Sequence, residues 1–344
     1  EQKDPLRVTV LFSGDTGFYS GCRKLYVALQ EAVAVGVLNA GVRILPGISS
    51  VATLAARVGE SYEDAAILSM HGKKLNRLSA TVESHEKVFL LTSGSEDIRK
   101  IGRLLAEAGL TDCEVTVGYQ LSYPEENIRL LTPGQCEEIT EEGLYTCLIR
   151  NPHWQSERLT HGRADTCFLR DAKTPMTKEE VREVSICKLN LTQNAVVYDI
   201  GSGTGSVAIE IAGVPGGVQV YAIERKPEAV ELLRKNREHF HMDNIQIIEA
   251  TAPEGLEELP VPTHAFIGGS GGRLLDILQT LYRKNPHMRI VINAISMETI
   301  AELKEVLDTF PVEEEEILQM QVSRVKKLLS YHLPQAENPV WICS

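Results

Sequence analysis

What this chain lacks narrows its class before any motif is read. No apolar run approaches the ~20 residues of a membrane-spanning helix, and nothing reads as a signal peptide, so no membrane partner is expected. Basic residues are outnumbered, 35 Lys and Arg against 47 Asp and Glu, for a net charge of −12. Phosphate binding relies on a basic field, so nucleic acid is not expected as a partner either. The cysteines at 22, 113, 136, 147, 167, 187 and 343 form no CxxC pair and no metal-type spacing. An odd, scattered set reads as reduced thiols in the cytoplasm, with no metal site. The first residue is Glu rather than Met. A processed or trimmed piece, with an N-terminus that is missing, is the expectation.

What is present suits a globular enzyme. A chain of 344 residues is longer than one core usually organises, so two domains are expected. Apolar residues make up 43 % and charged residues 24 %, which argues against disorder. In the first half, short apolar runs alternate with helical stretches. Strands are expected at 8–12, 41–45, 65–69, 87–91, 114–119 and 144–149, and helices at 22–35, 49–57 and 97–108. This rhythm implies an α/β sheet with ligands at the strand carboxyl ends. The polar stretch "NPHWQSERLTHGRADTCFLRDAKTP" then breaks the pattern. The expected division is therefore a domain at 1–150, a linker at 151–172 and a second domain at 173–344. The second domain opens on an amphipathic helix, with Thr177 as N-cap and Glu180 completing a capping box. Strand and helix alternate from Val196 onward. The stretches 317–322 and 340–342 are expected to form an antiparallel edge pair, and the acidic run 313–316 a solvated loop.

Two glycine-rich turns follow apolar runs. In "DIGSGTGS", Gly201, Ser202, Gly203, Thr204 and Gly205 lie between an expected strand and an expected helix. Glycine lets the backbone approach a ligand, and a helix N-terminus offers free N–H groups. Glu224 ends the next strand, where an acid can accept two ribose hydroxyls. The third glycine of a dinucleotide fingerprint is absent, since Ser206 stands in its place. Asp199 is suited to an ammonium group. Both features favour S-adenosylmethionine over a nicotinamide cofactor. A nicotinamide-dependent oxidoreductase and a tight turn without ligand are the alternatives.

These residues carry a resemblance. "PMTKEEVREVSICKLNL", "DIGSGTGSVAIE", "ATAPEGL", "FIGGSGG" and "INAISMETI" together resemble the decarboxylating corrin methyltransferases of cobalamin biosynthesis. The likeness runs from about Gly162 to the end. It implies a class I, Rossmann-like methyltransferase domain in which Thr177, the 201–205 loop, Glu224, Thr251 and Ala252 line the methyl-donor site. Thr251 departs from the family, which usually has Asp there. The resemblance also implies a corrin-type tetrapyrrole substrate rich in carboxylates, methylated at carbon 15 with loss of CO₂ from the ring C acetate. Backbone amides of Gly268, Gly269, Ser270 and Gly271, with Arg273, are the expected carboxylate ligands. No catalytic residue is assigned. Self-association, as a tetramer in many relatives, is implied as well.

The upstream turn, "SGDTGFYSG", is similar to a segment of the tetrapyrrole methylases. "LPGISSVATLAARVGESYEDA" and "LSMHGK" match the same family, in the branch that methylates carbon 5 of the corrin precursor. This implies a second donor site at Gly14, Asp15, Ser49 and Ser50, with His71 meeting a substrate carboxylate. A strand-to-helix turn capped by Ser49 or Ser50, and a structural loop histidine, are the plain alternatives. The family begins with a further strand and a "GxGPGD"-like loop ahead of this segment. The N-terminal α/β domain is therefore expected to be incomplete, and its activity to depend on what is missing.

Overall fold

The computed structural model describes residues 7–70, 77–156 and 160–344. His71, singled out above, lies outside the described residues. The chain divides into two compact units, Glu1–Glu157 and Arg158–Ser344.

The first unit contains α1 (Cys22–Ala34), α2 (Ser50–Val58), β1 (Ala66–Ser69), α3 (Leu78–Ser84), β2 (Lys87–Leu91), α4 (Ser95–Glu107), β3 (Glu114–Tyr119), β4 (Asn127–Leu131), α5 (Pro133–Cys136) and β5 (Tyr145–Arg150). Its sheet has the order β1-β2-β5-β3-β4. Only β1 and β2 run parallel, so the sheet is mixed rather than a continuous βαβ winding. Every residue of β2, "KVFLL", is buried, as a strand covered on both faces should be. Val88 and Leu90 meet Ile98, Ile101 and Leu105 of α4, which recur at helical spacing. Phe89 and Leu91 point the other way, onto Val51, Leu54 and Ala55 of α2.

Two expected strands do not form. Residues 8–12 and 41–45 join no ladder among the described residues. Val8 and Leu11 are 74 % and 89 % exposed, and Leu45 is exposed too. An apolar run becomes a strand only where a neighbouring backbone takes up its N–H and C=O groups, and among the described residues none pairs with these in a ladder.

The second unit contains α6 (Glu179–Leu189), β6 (Val196–Ile200), α7 (Ser206–Gly213), β7 (Gln219–Glu224), α8 (Pro227–His239), β8 (Ile245–Glu249), β9 (His264–Ile267), α9 (Leu274–Lys284), β10 (Arg289–Ala294), α10 (Met297–Leu307), β11 (Ile317–Met320), β12 (Ser323–Leu328), β13 (Tyr331–Ala336) and β14 (Val340–Cys343). Seven strands form one sheet in the order β11-β14-β10-β9-β6-β7-β8. The five from β10 to β8 are parallel, and β14 runs antiparallel to both β10 and β11. The expected antiparallel pair is thus present, with β11 as the edge strand. Alternation along β6 sends Val197 to one core, with Val207, Ile211 and Leu233, and Tyr198 to the other, with Ile277 and Leu281. β12 and β13 form a separate hairpin that the weak alternation of "SRVKKL" and "YHLPQA" did not announce.

The start of α6 departs from expectation. Lys178 is the N-cap, and neither a side-chain cap nor a capping box is made. The Thr177 backbone is held instead from inside the unit, where Arg182 Nη1 donates to its carbonyl at 2.7 Å. Arg182 is fully buried. Its guanidinium pairs with Asp165 at 3.3 Å and Glu210 at 3.5 Å, donates to the Arg163 carbonyl, and lies over the Phe168 ring. Glu210, in α7, also accepts from the Gly162 N–H and from Arg163. A buried charge is tolerated only when such partners surround it. This network fastens residues 162–168 and the approach to α6 onto α7.

Candidate functional site

The parallel sheet changes winding direction between β6 and β9, which is where an open α/β sheet leaves a crevice at its strand carboxyl ends. Two glycine-rich loops emerge there. Gly201 N donates to the Ile223 carbonyl and Gly268 N to the Ile200 carbonyl, both at 2.9 Å, so each loop is pinned to the neighbouring strand end. Gly201 has φ +76°, and a Cβ on it would lie 2.8 Å from the Gly269 carbonyl oxygen. Gly205 has φ +80°, and its Cβ would lie 2.0 Å from Leu233 Cδ1 of α8. Glycine is thus required at both positions by conformation and by space.

A cleft opens beside these loops. Gly201 and Gly203 line one wall, Glu224 and Arg225 the end of β7, and Thr251 and Ala252 the turn after β8. Gly268, Gly269, Ser270 and Gly271 complete it, with Pro175 from the approach to α6. Glu224 is largely buried and makes its bonds to the main chain. Oε2 accepts the Gly203 N–H at 2.9 Å, and Oε1 accepts those of Arg225 and Lys226 at 2.9 and 3.0 Å. An acid at the strand end therefore fixes both the glycine loop and the entry to α8.

Asp199 plays a different part from the expected one. It is wholly buried and does not line the cleft. Its Oδ2 accepts from Ser202 Oγ at 2.6 Å, which braces the loop from beneath. Burial pushes its carboxyl up to about 7, against the lowering by the Ser202 hydroxyl, and the Glu224 charge acts in the same direction as burial. Ser202, Thr204 and Gly205 likewise sit behind the wall, and Thr177 does not reach it. Thr204 is buried, and its N–H donates to the Pro175 carbonyl at 3.4 Å. Arg273 does not line the cleft. It bonds Glu254 at 2.7 and 2.8 Å and Asp276 at 3.3 Å, and those carboxylates hold its pKa up.

Sequence reasoning missed Pro175, Arg225 and Lys226 in the cleft, and Glu302 behind it. Glu302 accepts Ser270 Oγ at 3.0 Å and the Leu274 N–H at 2.6 Å, tying α10 to the loop after β9. The signal for Arg225 was its place directly after the strand-end acid.

The first unit brings its two candidate loops together among the described residues. Thr16 Oγ1 donates to the Leu45 carbonyl at 2.8 Å, and a Cβ on Gly47 would lie 2.2 Å from the Gly14 carbonyl oxygen. Asp15 Oδ1 accepts the Gly17 N–H at 2.7 Å within its own turn. Ser49 Oγ accepts the Ala52 N–H at 3.1 Å as the N-cap of α2, and Ser50 is the first residue of that helix.

Fold and site together define a Rossmann-like methyltransferase in the second unit. Residues 166–344 match the family described as the precorrin methyltransferase domain, and the chain belongs to that family. Residues 1–136 match the tetrapyrrole (corrin/porphyrin) methylases. The chain is 29 % identical over 299 residues to a precorrin-6Y C(5,15)-methyltransferase (decarboxylating) of Sinorhizobium sp, covering 86 % of this chain and 70 % of that one. It is 35 % identical over 179 residues to a cobalt-precorrin-6B C(15)-methyltransferase (decarboxylating) of Salmonella typhimurium, covering 52 % of this chain and 92 % of that one. Among solved structures it resembles a precorrin-6y C5,15-methyltransferase of Geobacter metallireducens, at 35 % identity and TM-score 0.50, over 53 % of this chain and 95 % of that one. Membership of a methyltransferase family sets the nicotinamide alternative aside. No described helix is long and apolar enough to cross a membrane.

Proposed function

We propose that the chain methylates a corrin precursor at carbons 5 and 15 and removes the ring C acetate as CO₂, within cobalamin biosynthesis. The work is divided between domains at 1–150 and 173–344, joined by 151–172. The carbon-15 reaction belongs to the second. The observation that carries this reading is the cleft between the loops after β6 and β9, in a chain whose second unit matches the precorrin methyltransferase domain. The residues present suit S-adenosylmethionine. Gly201 and Gly203 leave a wall without side chains, Gly269 opens onto free space, and Glu224 stands at the strand end as a hydroxyl acceptor.

When bound, S-adenosylmethionine supplies an electrophilic methyl group whose bonding electrons stay on sulfur. The protein's task is then mainly alignment. Gly201, Gly203 and Glu224 hold the donor, with Thr251 and Ala252 at its base. The amides of Gly269, Ser270 and Gly271 face the acceptor, while that of Gly268 pins the loop to Ile200. The acceptor's own ring system takes up the electron pair released with CO₂, so no strong protein base is called for. The chain acts in the cytoplasm as a homo-oligomer, a tetramer by analogy with the family resemblance.

A second reading confines the activity to carbon 15. It is favoured by the exposed runs at 8–12 and 41–45, which join no ladder among the described residues. Product masses from the purified chain, S-adenosylmethionine and metal-free or cobalt-bearing precursor separate the readings. Two added methyls with loss of CO₂ are expected. One methyl with loss of CO₂ favours the second reading, and no mass change with either precursor overturns both.

A further inference from the structure

We propose that Arg225 grips a carboxylate of the acceptor, while Ile295 and Met297 give the acceptor's flat apolar face a floor. The inference rests on the corrin reading of the cleft. It names residues that neither the glycine-rich motifs nor the resemblance assigns.

Arg225 stands at the cleft mouth, one residue beyond the strand-end acid, and is exposed. Its guanidinium leans toward the opposite loop, since a Cβ on Gly271 would lie 3.5 Å from Nη1. Among the described residues it has no carboxylate partner, in a chain of net charge −12. Arg273, just past the same loop, is by contrast taken by Glu254 and Asp276. The neighbouring acid Glu224 is engaged by three backbone N–H groups. An exposed, unpaired guanidinium at the mouth of a donor cleft is available for a planar, bidentate carboxylate contact.

The floor follows from register. Ile267 of β9 pairs with Ile292 of β10, so the residues just past Ala294 reach the same rim as the loop after β9. There Ile295 and Met297 are 64 % and 75 % exposed. They are not on a loose end, because Glu302 of α10 holds both Ser270 and Leu274. The order β10-β9-β6-β7 puts Arg225 and Ile295 three strand spacings apart, about 14 Å. That span suits a rigid planar acceptor held by a carboxylate at one edge and resting on apolar surface at the other.

The test uses the full chain and uroporphyrin, a planar polycarboxylated tetrapyrrole, with binding read by fluorescence. Donor-site binding is read separately by calorimetry with S-adenosylhomocysteine. Arg225→Met is expected to weaken uroporphyrin about 10- to 100-fold, as loss of a charge-assisted bond should, and to weaken S-adenosylhomocysteine, whose cleft Arg225 also lines, by a smaller factor. Arg225→Lys keeps part of the affinity, and added salt weakens the wild type more than Arg225→Met. Ile295→Ser with Met297→Ser weakens uroporphyrin about tenfold without changing the salt dependence. Failure of the wild type to bind uroporphyrin overturns the proposal. So does an Arg225→Met variant that loses S-adenosylhomocysteine instead, which would assign the guanidinium to the donor. If Arg225→Met loses uroporphyrin yet no corrin precursor is methylated, the corrin reading fails and the carboxylate contact stands. If precursor is methylated while Arg225→Met changes neither uroporphyrin affinity nor acceptor KM, the Arg225 assignment fails alone.

Discussion

Two loops in this chain begin alike and end differently. Each follows an apolar run and bends through glycine at positive φ, Gly14 at +75° in the first unit and Gly201 at +76° in the second. Gly201 directly follows a strand paired on both sides, and the loop after β9 closes against it. Gly14 follows a run that joins no ladder among the described residues, and its near neighbours are Gly47 and Ile48 of the turn before α2. A glycine-rich motif therefore becomes a site through what stands behind it. In the second unit that support is three-layered: the strand ends, the buried Asp199–Ser202 brace, and the Arg182–Glu210 network that carries Pro175 to the cleft. In the first unit the side chains of Thr16, Asp15 and Ser49 each make one hydrogen bond that holds a loop.

The contrast is sharpened first at Arg182. Arg182→Met leaves Glu210 buried with one fewer counter-charge, and breaking such a pair typically costs about 3–5 kcal/mol. Hydrogen exchange followed segment by segment should show α6, α7 and residues 162–168 losing protection, while β2 and β5 of the first unit keep theirs. Equal loss in both units would mean that the network is not local to the second.

Asp199 gives a pH signature. Its folded carboxyl is held near 7, above the ordinary value of 3.8. Between those values the folded state keeps a proton that the unfolded state has released. Stability of the second unit therefore falls as pH rises through the window, by at most about 1.4 kcal/mol per pH unit. Asp199→Asn cannot lose that proton, so its melting temperature should fall less than the wild type's between pH 5 and pH 8. Parallel curves for the two proteins would contradict the assignment.

The smallest effect belongs to the first unit. Ser49→Ala removes one N-cap bond and should cost about 0.5–2 kcal/mol, read as faster exchange at the start of α2. Product from the second unit should be unaltered. A changed yield of carbon-15 product would show that the two units depend on each other.

The elements around the donor cleft were legible because several signals agreed. The parallel strands read as apolar runs, the glycines marked positions without room for Cβ, and Glu224 stood at the expected distance. The apolar runs at 8–12 and 41–45 misled, because strand pairing is a property of the neighbour as much as of the run. Thr177 misled similarly. The helix starts one residue later than the capping signal suggests, with Lys178 as N-cap and no side-chain cap, while Arg182, 5 residues on, holds the Thr177 carbonyl. Asp199 and Arg273 were read by charge and by place beside a glycine loop, and their partners in the fold, Ser202 and Glu254, become visible only once the chain is folded. Arg225 was passed over for the opposite reason, since a lone arginine after a strand looks like ordinary surface.

The most direct test is a calorimetric titration of the wild type and Gly201→Val with S-adenosylmethionine. The added side chain would meet the Gly269 backbone at a position that already favours glycine. Loss of the wild type's tight site in a variant that still melts cooperatively is the predicted result, and any binding that remains would report on the first unit. An unchanged titration would contradict the claim that the donor sits between the loops after β6 and β9.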